Sequence, residues 1–519
     1  MQSNSNHIEI HPKGERETQS PAEEMSEPIG VDTFGGRVHV QWDPQAPATP
    51  FGQLGFFIQF LKTADLFRPW VQDCPLHYHS PNAPSKVDIL GTYLLAALAG
   101  QKRYAHITAM RSDQVNPKLL GMKQVMSEDS IRRAFQNCDP QACQGWQQKH
   151  LRLTYEPLLT EPYLIDIDTT VKPLYGKQQG AEKGFNPKKP GRPSHVYHTY
   201  FVANLRLIMD CEVQAGNRQA AQHTQPGLWR LIDSLPKACW PTFLRGDCVF
   251  GNEAMMAACE ERQLHYLFKL RLTTRVKALI QLVSGTQAWS SAGGGWQGIE
   301  SSLQLMGWTR GRRVIVLRRR RQPPQPSLPA TVPRQVPLPF EKSLPQAAVY
   351  EYAVLVTSLG DEITALAQHY RDRADAENGF DELKNQWGWG GFTTQDLARC
   401  QITARIVAQV YNWWSIFLRL AFPGKHLEGI SSRPLLLYAI GTQTQHSGQT
   451  TLTVTSTHAK ASVVQAILTR LSRFFRHLIV NAEQLTQAQI WRLILSAAFK
   501  IFLRGKILQP PQLLAAAAP

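Results

Sequence analysis

Residues 163–171 read YLIDIDTTV. Alternation with a period of two sends Leu164, Asp166 and Asp168 to one face of a strand, and Ile165 and Ile167 to the other. Carboxylates inside an apolar strand are costly unless paired, hydrogen-bonded or bound to a cation. A strand end running out into solvent is the plain alternative, and position alone leaves both open. Outward from this stretch, HTYFVANLRLIMDCEV (198–213) predicts two more strands, GLWRLIDSL (227–235) a helix and TFLRGD (242–247) a strand. NEAMMAACEERQ (252–263) predicts a helix and YLFKLRL (266–272) a strand. Three strands, then helix, strand, helix, strand describe an open mixed α/β sheet.

The flanks have other textures. Residues 1–34 are polar and are expected to form a mobile leader. Helical periodicity begins at Phe51 and recurs over 86–100 and 127–136, where Ser127 suits an N-cap, so 35–156 is expected to be a helical, DNA-binding N-terminal domain. The mixed sheet occupies 157–271. Residues 272–357 are expected to be a β-rich insertion, because VIVLRRRR (314–321) precedes QPPQPSLPATVPRQVPLP (322–339), with seven prolines in eighteen residues. That density of proline excludes helix and central strand and leaves an extended connector. The core resumes over 358–425 with a long helix from Ile363 past Lys384. A second helix there carries Ile402, Ile406, Val410, Trp413, Phe417 and Leu420 as a core-facing stripe. Residues 426–519 are expected to be helical and basic.

Among 519 residues, 56 are Lys or Arg and 40 are Asp or Glu, a net charge of +16. That balance favours a polyanionic partner, nucleic acid before an anionic membrane surface. The first residues lack the apolar core of a secretory signal. The longest apolar stretch, 89–100, is shorter than the ~20 residues that span a bilayer. A cytosolic protein with no membrane role is the expectation. Eight scattered cysteines with no C-x-x-C pair read as reduced thiols rather than metal ligands.

Asp247 ends an apolar strand and precedes a small-residue turn into a helix, the place where sites gather in α/β sheets. A mere cap for that helix is the competing reading. In YRDRADAENGFDELK (370–384), Tyr370, Arg373, Glu377 and Lys384 stand at offsets 0, 3, 7 and 14. At ~100° per residue they project within roughly 60° of one another on a helix. A solvated face of mixed charge is the ordinary meaning of such a run. Two cations and a phenol flanking one carboxylate also suit a metal-binding acid beside DNA phosphates. Gly379 marks close packing or a kink.

The spacing Y-x-x-R-x-x-x-E-x-x-x-x-x-x-K resembles the third-acid motif of bacterial insertion-sequence DDE transposases of the Tyr-Arg-Glu-Lys subgroup. Asp168-Thr169-Thr170 resembles their first-acid region, and the residues around Asp247 resemble the second. The resemblance implies an RNase H-like core interrupted by a β-rich insertion. It also implies Asp168, Asp247 and Glu377 as a catalytic, metal-binding triad, with Asp166 the alternative first acid. Tyr370, Arg373 and Lys384 would grip phosphates. Two Mg2+ or Mn2+ ions ~3.5–4 Å apart would serve phosphodiester cleavage. A freed 3′-OH would then attack the opposite strand as a hairpin, and later target DNA. The implied partners are terminal inverted repeats, target DNA and a second subunit in a paired-end homodimer, with the protein associated with a bacterial nucleoid.

Two basic regions suit the DNA. The Gly/Pro-rich stretch 172–195 carries Lys172, Lys177, Lys183, Lys188, Lys189 and Arg192 beside the first acid. The second region is Arg310, Arg312, Arg313 and Arg318 to Arg321, including Arg318, Arg319 and Arg320, with Trp296 and Trp308 nearby for stacking. Residues 118–135 suggest a helix-turn-helix with Arg132 and Arg133 toward DNA, or a plain helical hairpin. A non-transposing DNA-binding descendant and a structure-selective nuclease of the same fold are the competing functions. A glycosidase fits poorly with the charge.

Overall fold

A computed structural model of the chain describes residues 28–509, apart from 44–45, 79, 81, 188, 219, 322–349, 390 and 482–483. Most of the expected leader and nearly all of the proline-rich connector lie outside the described residues. The part of the leader that is described is structured: β1 (Ile29–Thr33) and β2 (Gly36–Val40) form an antiparallel hairpin pairing Ile29 with Val40. Then come β3 (Ala48–Thr49) and six helices: α1 (Leu54–Thr63), α2 (Phe67–Gln72), α3 (Lys86–Leu98), α4 (Asn116–Leu119), α5 (Glu128–Arg133) and α6 (Pro140–Tyr155). Side chains cap three of them: Ser85 accepts from Asp88 N, Ser127 from Ser130 N, and Asp139 from Ala142 N. Of the two readings of 118–135, the helix-turn-helix does not form. α4 is a single turn, α5 has six residues, and Arg132 and Arg133 both pair with Asp129 of their own helix.

The stretch that opened the sequence reading becomes β4 (Leu164–Pro173), followed by β5 (Glu182–Lys183), β6 (Pro193–Val202), β7 (Leu207–Ala215), α7 (Ala220–Asp233), β8 (Phe243–Gly246), α8 (Glu253–Glu261) and β9 (His265–Lys269). β4, β6 and β7 pair antiparallel, whereas β4, β8 and β9 run parallel, so the order is β7-β6-β4-β8-β9. This is the strand order and direction of an RNase H-like core. The parallel pairs need crossovers, and α7 and α8 supply them.

The segment 272–357 begins with a helix, α9 (Thr274–Ser284), and continues as β10 (Ser290–Gly293), β11 (Trp296–Leu303), β12 (Arg312–Arg320) and β13 (Tyr350–Thr357). It is β-rich, and it is not a detached module. β13 pairs with β9 through Leu355, Val356 and Thr357, so the four strands extend the core sheet to ten. An apolar β9 edge would otherwise be left open, and this pairing covers it.

α10 (Ile363–Arg371), α11 (Arg373–Gln386), α12 (Leu397–Ala421) and α13 (Gly429–Leu436) follow. The expected one-sided stripe of α12 is instead burial on every side, from Ile402 to Leu418 without an exposed residue. A helix buried all round belongs in the middle of a core, and its polar residues there are paired, Arg405 with Asp210 and Asn412 with the backbone of Ile208. β7, α6 and α3 pack on it, with α1 and the last two helices, α14 (Ala461–Val480) and α15 (Gln487–Ala498). The N- and C-terminal regions therefore share one helical layer rather than forming separate ends. The C-terminal part is also not wholly helical: β14 (Ile440–His446) and β15 (Gln449–Thr455) form a hairpin that pairs with β3.

The sheet thus has two covered faces. Ile165 and Ile167 belong to the large cluster around α12, whereas Leu164 packs with Phe243, Leu267, Leu355, Leu366 and Ala367 beneath α10. Among the described residues no helix is long and apolar enough to cross a membrane.

One buried group within the sheet sets a pH dependence. His198 on β6 is buried, 2.5 Å from Thr224 Oγ1, and desolvation pushes its imidazole down to about 4 from 6.5. Between those values the unfolded chain binds a proton that the folded chain refuses. Stability therefore falls as pH drops from 6.5 toward 4, by up to about 3 kcal/mol from this group. Urea unfolding across that range is expected to show a smaller decline for His198→Phe than for the native chain.

Candidate active site

β4 delivers Asp168 four residues past its first apolar position, at the point where burial gives way to partial exposure. Asp168 Oδ1 accepts from Thr169 N at 2.7 Å, and Oδ2 accepts from Arg373 at 3.2 Å. Gly246 ends β8, and a Cβ there would lie 2.8 Å from Phe250 and 3.1 Å from Ile167. A side chain at Gly246 would crowd the strand end that presents Asp247. Asp247 Oδ1 accepts from Val249 N at 2.9 Å, while the cap of α8 is Asn252, which accepts from Met255 N. The capping alternative for Asp247 therefore goes to Asn252. α11 carries Glu377, which is largely exposed and accepts from the same Arg373.

Asp168 and Glu377 thus meet on one guanidinium, and Asp247 is close enough to act on the charge of Asp168. Burial, with Asp247 and Glu377 close by, outweighs Arg373 and pushes the Asp168 carboxyl up to about 7. Arg373 is buried, and although desolvation works against its charge, Asp168, Tyr370, Glu377 and Asp166 outweigh it and raise the guanidinium's pKa. Desolvation pushes the Tyr370 phenol up as well, with Arg373, Asp247 and Glu377 all near it.

Asp166 shares the strand face of Asp168 but has another occupation. Arg245 on β8 donates to both its oxygens, at 2.6 and 2.7 Å, and to the carbonyl of His369 on α10. Both side chains of the pair are 1% exposed. This fork ties β4, β8 and α10 together next to the three acids. Sequence reasoning missed Arg245. The usable signal was a lone cation inside the apolar TFLRGD, matching the more deeply placed of the two acids inside YLIDIDTTV.

The Tyr-Arg-Glu-Lys stripe is not on one straight helix. α10 ends and α11 begins at Asp372, leaving Tyr370 on the first and the other three residues on the second. A fully solvated face is excluded, because Arg373 is buried. Lys384 Nζ donates to the carbonyl of Val171 at 3.3 Å, so it links α11 to β4. Gly379 marks close packing, since a Cβ there would lie 2.9 Å from the Phe201 ring of β6. Gly379→Ala is expected to lift α11 from the sheet, costing about 1–3 kcal/mol of stability by overpacking. Thermal unfolding would register it.

The donor set suits a hard divalent cation: three carboxylates come from three elements, and Asp247 and Glu377 are near enough to Asp168 to disfavour its charge in the absence of a cation. As they stand, Arg373 fills the gap between Asp168 and Glu377. Among the described residues no three Asp, Glu, His or Cys side chains are close enough to hold an ion.

The basic regions divide. Lys172 is buried, bonded to Gly391 O and Tyr197 OH, and does not face a surface. Lys177, Lys189 and Arg192 are exposed, and the last two lie over the Tyr175 ring at 5.1 and 4.8 Å. Lys188 lies outside the described residues. Arg312 is buried between Glu253 and Glu260, Arg310 pairs with Glu260 and Arg313 with Glu300, so these three are committed to the fold. Arg318 lies over Trp289 at 3.9 Å, Arg319 pairs with Glu351 and lies over Trp296 at 4.9 Å, and Arg320 is exposed. Trp308 is buried beside Arg312 and offers no stacking face.

The family model described as transposase DDE domain group 1 matches residues 79–475. A search of curated proteins finds no match. Among solved structures, the chain is similar to "Cryo-EM structure of piggyBac transposase synaptic complex with hairpin DNA (SNHP)". That likeness has a TM-score of 0.36 and 11% identity, over 87% of this chain and 88% of that one.

Proposed function

The chain belongs to the transposase DDE domain group 1 family, and on that premise we propose that it binds the terminal inverted repeats of a bacterial insertion sequence of the Tyr-Arg-Glu-Lys subgroup, cuts them and joins them to target DNA. The observation that carries the site assignment is the meeting of Asp168 and Glu377, 209 residues apart in number, on Arg373 beside Asp247.

In this reading Asp168, Asp247 and Glu377 hold Mg2+ or Mn2+. When bound, such ions supply charge stabilisation at the attacking and leaving oxygens of an in-line displacement. Asp166, kept by Arg245, is a framework residue and Asp168 the first acid. Glu377 would exchange Arg373 for the cation, leaving the guanidinium able to donate to a phosphate oxygen. Tyr370, held protonated by burial, donates a hydrogen bond to the same backbone. Lys384 positions β4 from beneath. Lys177, Lys189 and Arg192 grip the transposon end next to the first acid, with Arg318, Arg319 and Arg320 along the insertion. Water is the first nucleophile, the freed 3′-OH the second, through a hairpin on the opposite strand. Paired ends call for a homodimer.

The test is a cleavage assay on the inverted repeats that flank the gene, followed by joining of precut ends. Nicking at the repeat end that stops with EDTA, then strand joining, is the expected result. Binding with no scission in Mg2+ or Mn2+ would assign a DNA-binding role instead. Scission without use of the 3′-OH would assign a nuclease.

A further inference from the structure

The tip of the β10–β11 hairpin is fastened to the break between α10 and α11. Gly293, Gly294 and Gly295 turn it with φ of +75°, +59° and +76°. Arg371, beside Tyr370, donates from Nη1 to Ala292 O at 2.8 Å at that tip. Its Nη2 and Nε donate to Gln368 Oε1 at 2.7 and 3.2 Å, and Gln368 Nε2 donates to Asp372 Oδ1 at 2.6 Å. Asp372 is the residue at which α10 ends and α11 starts. A continuous line of hydrogen bonds therefore runs from the insertion hairpin to the bend that aims Arg373 and Glu377.

Two further contacts seat the same hairpin. Thr364 Oγ1 donates to Ser291 O at 2.9 Å. Gly298 on β11 leaves room for Ile363, the first residue of α10, because a Cβ there would lie 2.4 Å from that side chain. At the tip, a Cβ on Gly293 would lie 2.9 Å from the Arg371 guanidinium. Trp296, just past the glycine turn, packs on the cluster that includes Tyr370 and Ile363.

We infer that Arg371 is a positioning residue, coupling the β10–β11 hairpin to the α10–α11 bend so that the hairpin's seat sets the direction of Glu377. Arg371 touches neither the acids nor, in this account, the DNA. The inference rests on the cleavage function proposed above, and concerns how its third acid is aimed. A misplacement on the order of 1 Å at a reacting group can cost about a hundredfold in rate.

The experiment measures single-turnover cleavage at saturating DNA end, end affinity, and amide hydrogen exchange for Arg371→Ala, Arg371→Lys and Gly293→Ala. Arg371→Ala and Gly293→Ala are expected to slow cleavage by tenfold or more, leave end affinity within about threefold, and speed exchange only over 290–299 and 368–377. Arg371→Lys should recover part of the rate. Native cleavage by Arg371→Ala, or a loss matched by weaker binding or by faster exchange throughout, would overturn the inference. If the unsubstituted chain cuts no DNA, the functional reading fails. The exchange pattern still tests the coupling: unchanged protection at 368–377 in Arg371→Ala would reject it.

Discussion

Glu377→Gln protein is expected to bind its DNA ends as the native chain does and to cut them slower by a factor on the order of 10³ or more, with Asp247→Asn behaving alike. The size follows from the roles proposed for these side chains. Each would be one of three carboxylates facing a doubly charged ion, and an amide supplies an oxygen of similar shape without the charge. Binding should survive because the exposed cations Lys177, Lys189 and Arg192 are on another element from Glu377. Folding should survive too, since Glu377 is 60% exposed and its one strong partner, Arg373, keeps Asp168. Filter binding and single-turnover scission on the same preparation separate the two quantities. Retained scission by either variant would remove that residue from the mechanism.

The second large effect concerns stability. Arg245→Ala is expected to cost about 3–5 kcal/mol, read as a drop in urea midpoint, because it strands Asp166 without a cation inside the sheet. Replacing both partners, Arg245→Met with Asp166→Leu, should recover most of that loss, since an apolar pair of similar volume needs no desolvation of charge. The double variant also separates the neighbouring acids. If Asp168 is the first acid, the double variant keeps some metal-dependent cleavage once folded. If Asp166 held the ion, cleavage would vanish although stability returned.

Much of this core was legible in the chain. The alternation in YLIDIDTTV, the apolar runs after it and the small-residue turn past Asp247 are local signals, and they place three strands, a helix, a strand, a helix and a strand in the order observed, the two-residue β5 apart. Ser127 as a cap and Gly379 as a point of close packing were equally local. What escaped depends on partners distant in sequence. The Asp166–Arg245 fork joins strands 79 residues apart. The merging of the insertion with the core sheet rests on three residue pairs between β9 and β13. Lys172 and Lys384 read as phosphate-binding lysines, but each ends on a backbone carbonyl of a neighbouring element. The charge pattern of 310–321 likewise hid which arginines meet glutamates from α8. The bend at Asp372 has no proline or glycine to announce it.

The account turns on one divalent-ion site made by side chains from β4, the end of β8 and α11. Iron-directed backbone cleavage probes that site in the folded chain: Fe2+ replaces Mg2+, and ascorbate with peroxide makes hydroxyl radical that cuts the chain near the ion. The predicted result is three clusters of cuts, around Asp168, Asp247 and Glu377, suppressed by excess Mg2+ and lost in Asp247→Asn. Cuts confined to other segments, or a pattern indifferent to Asp247→Asn, would contradict it.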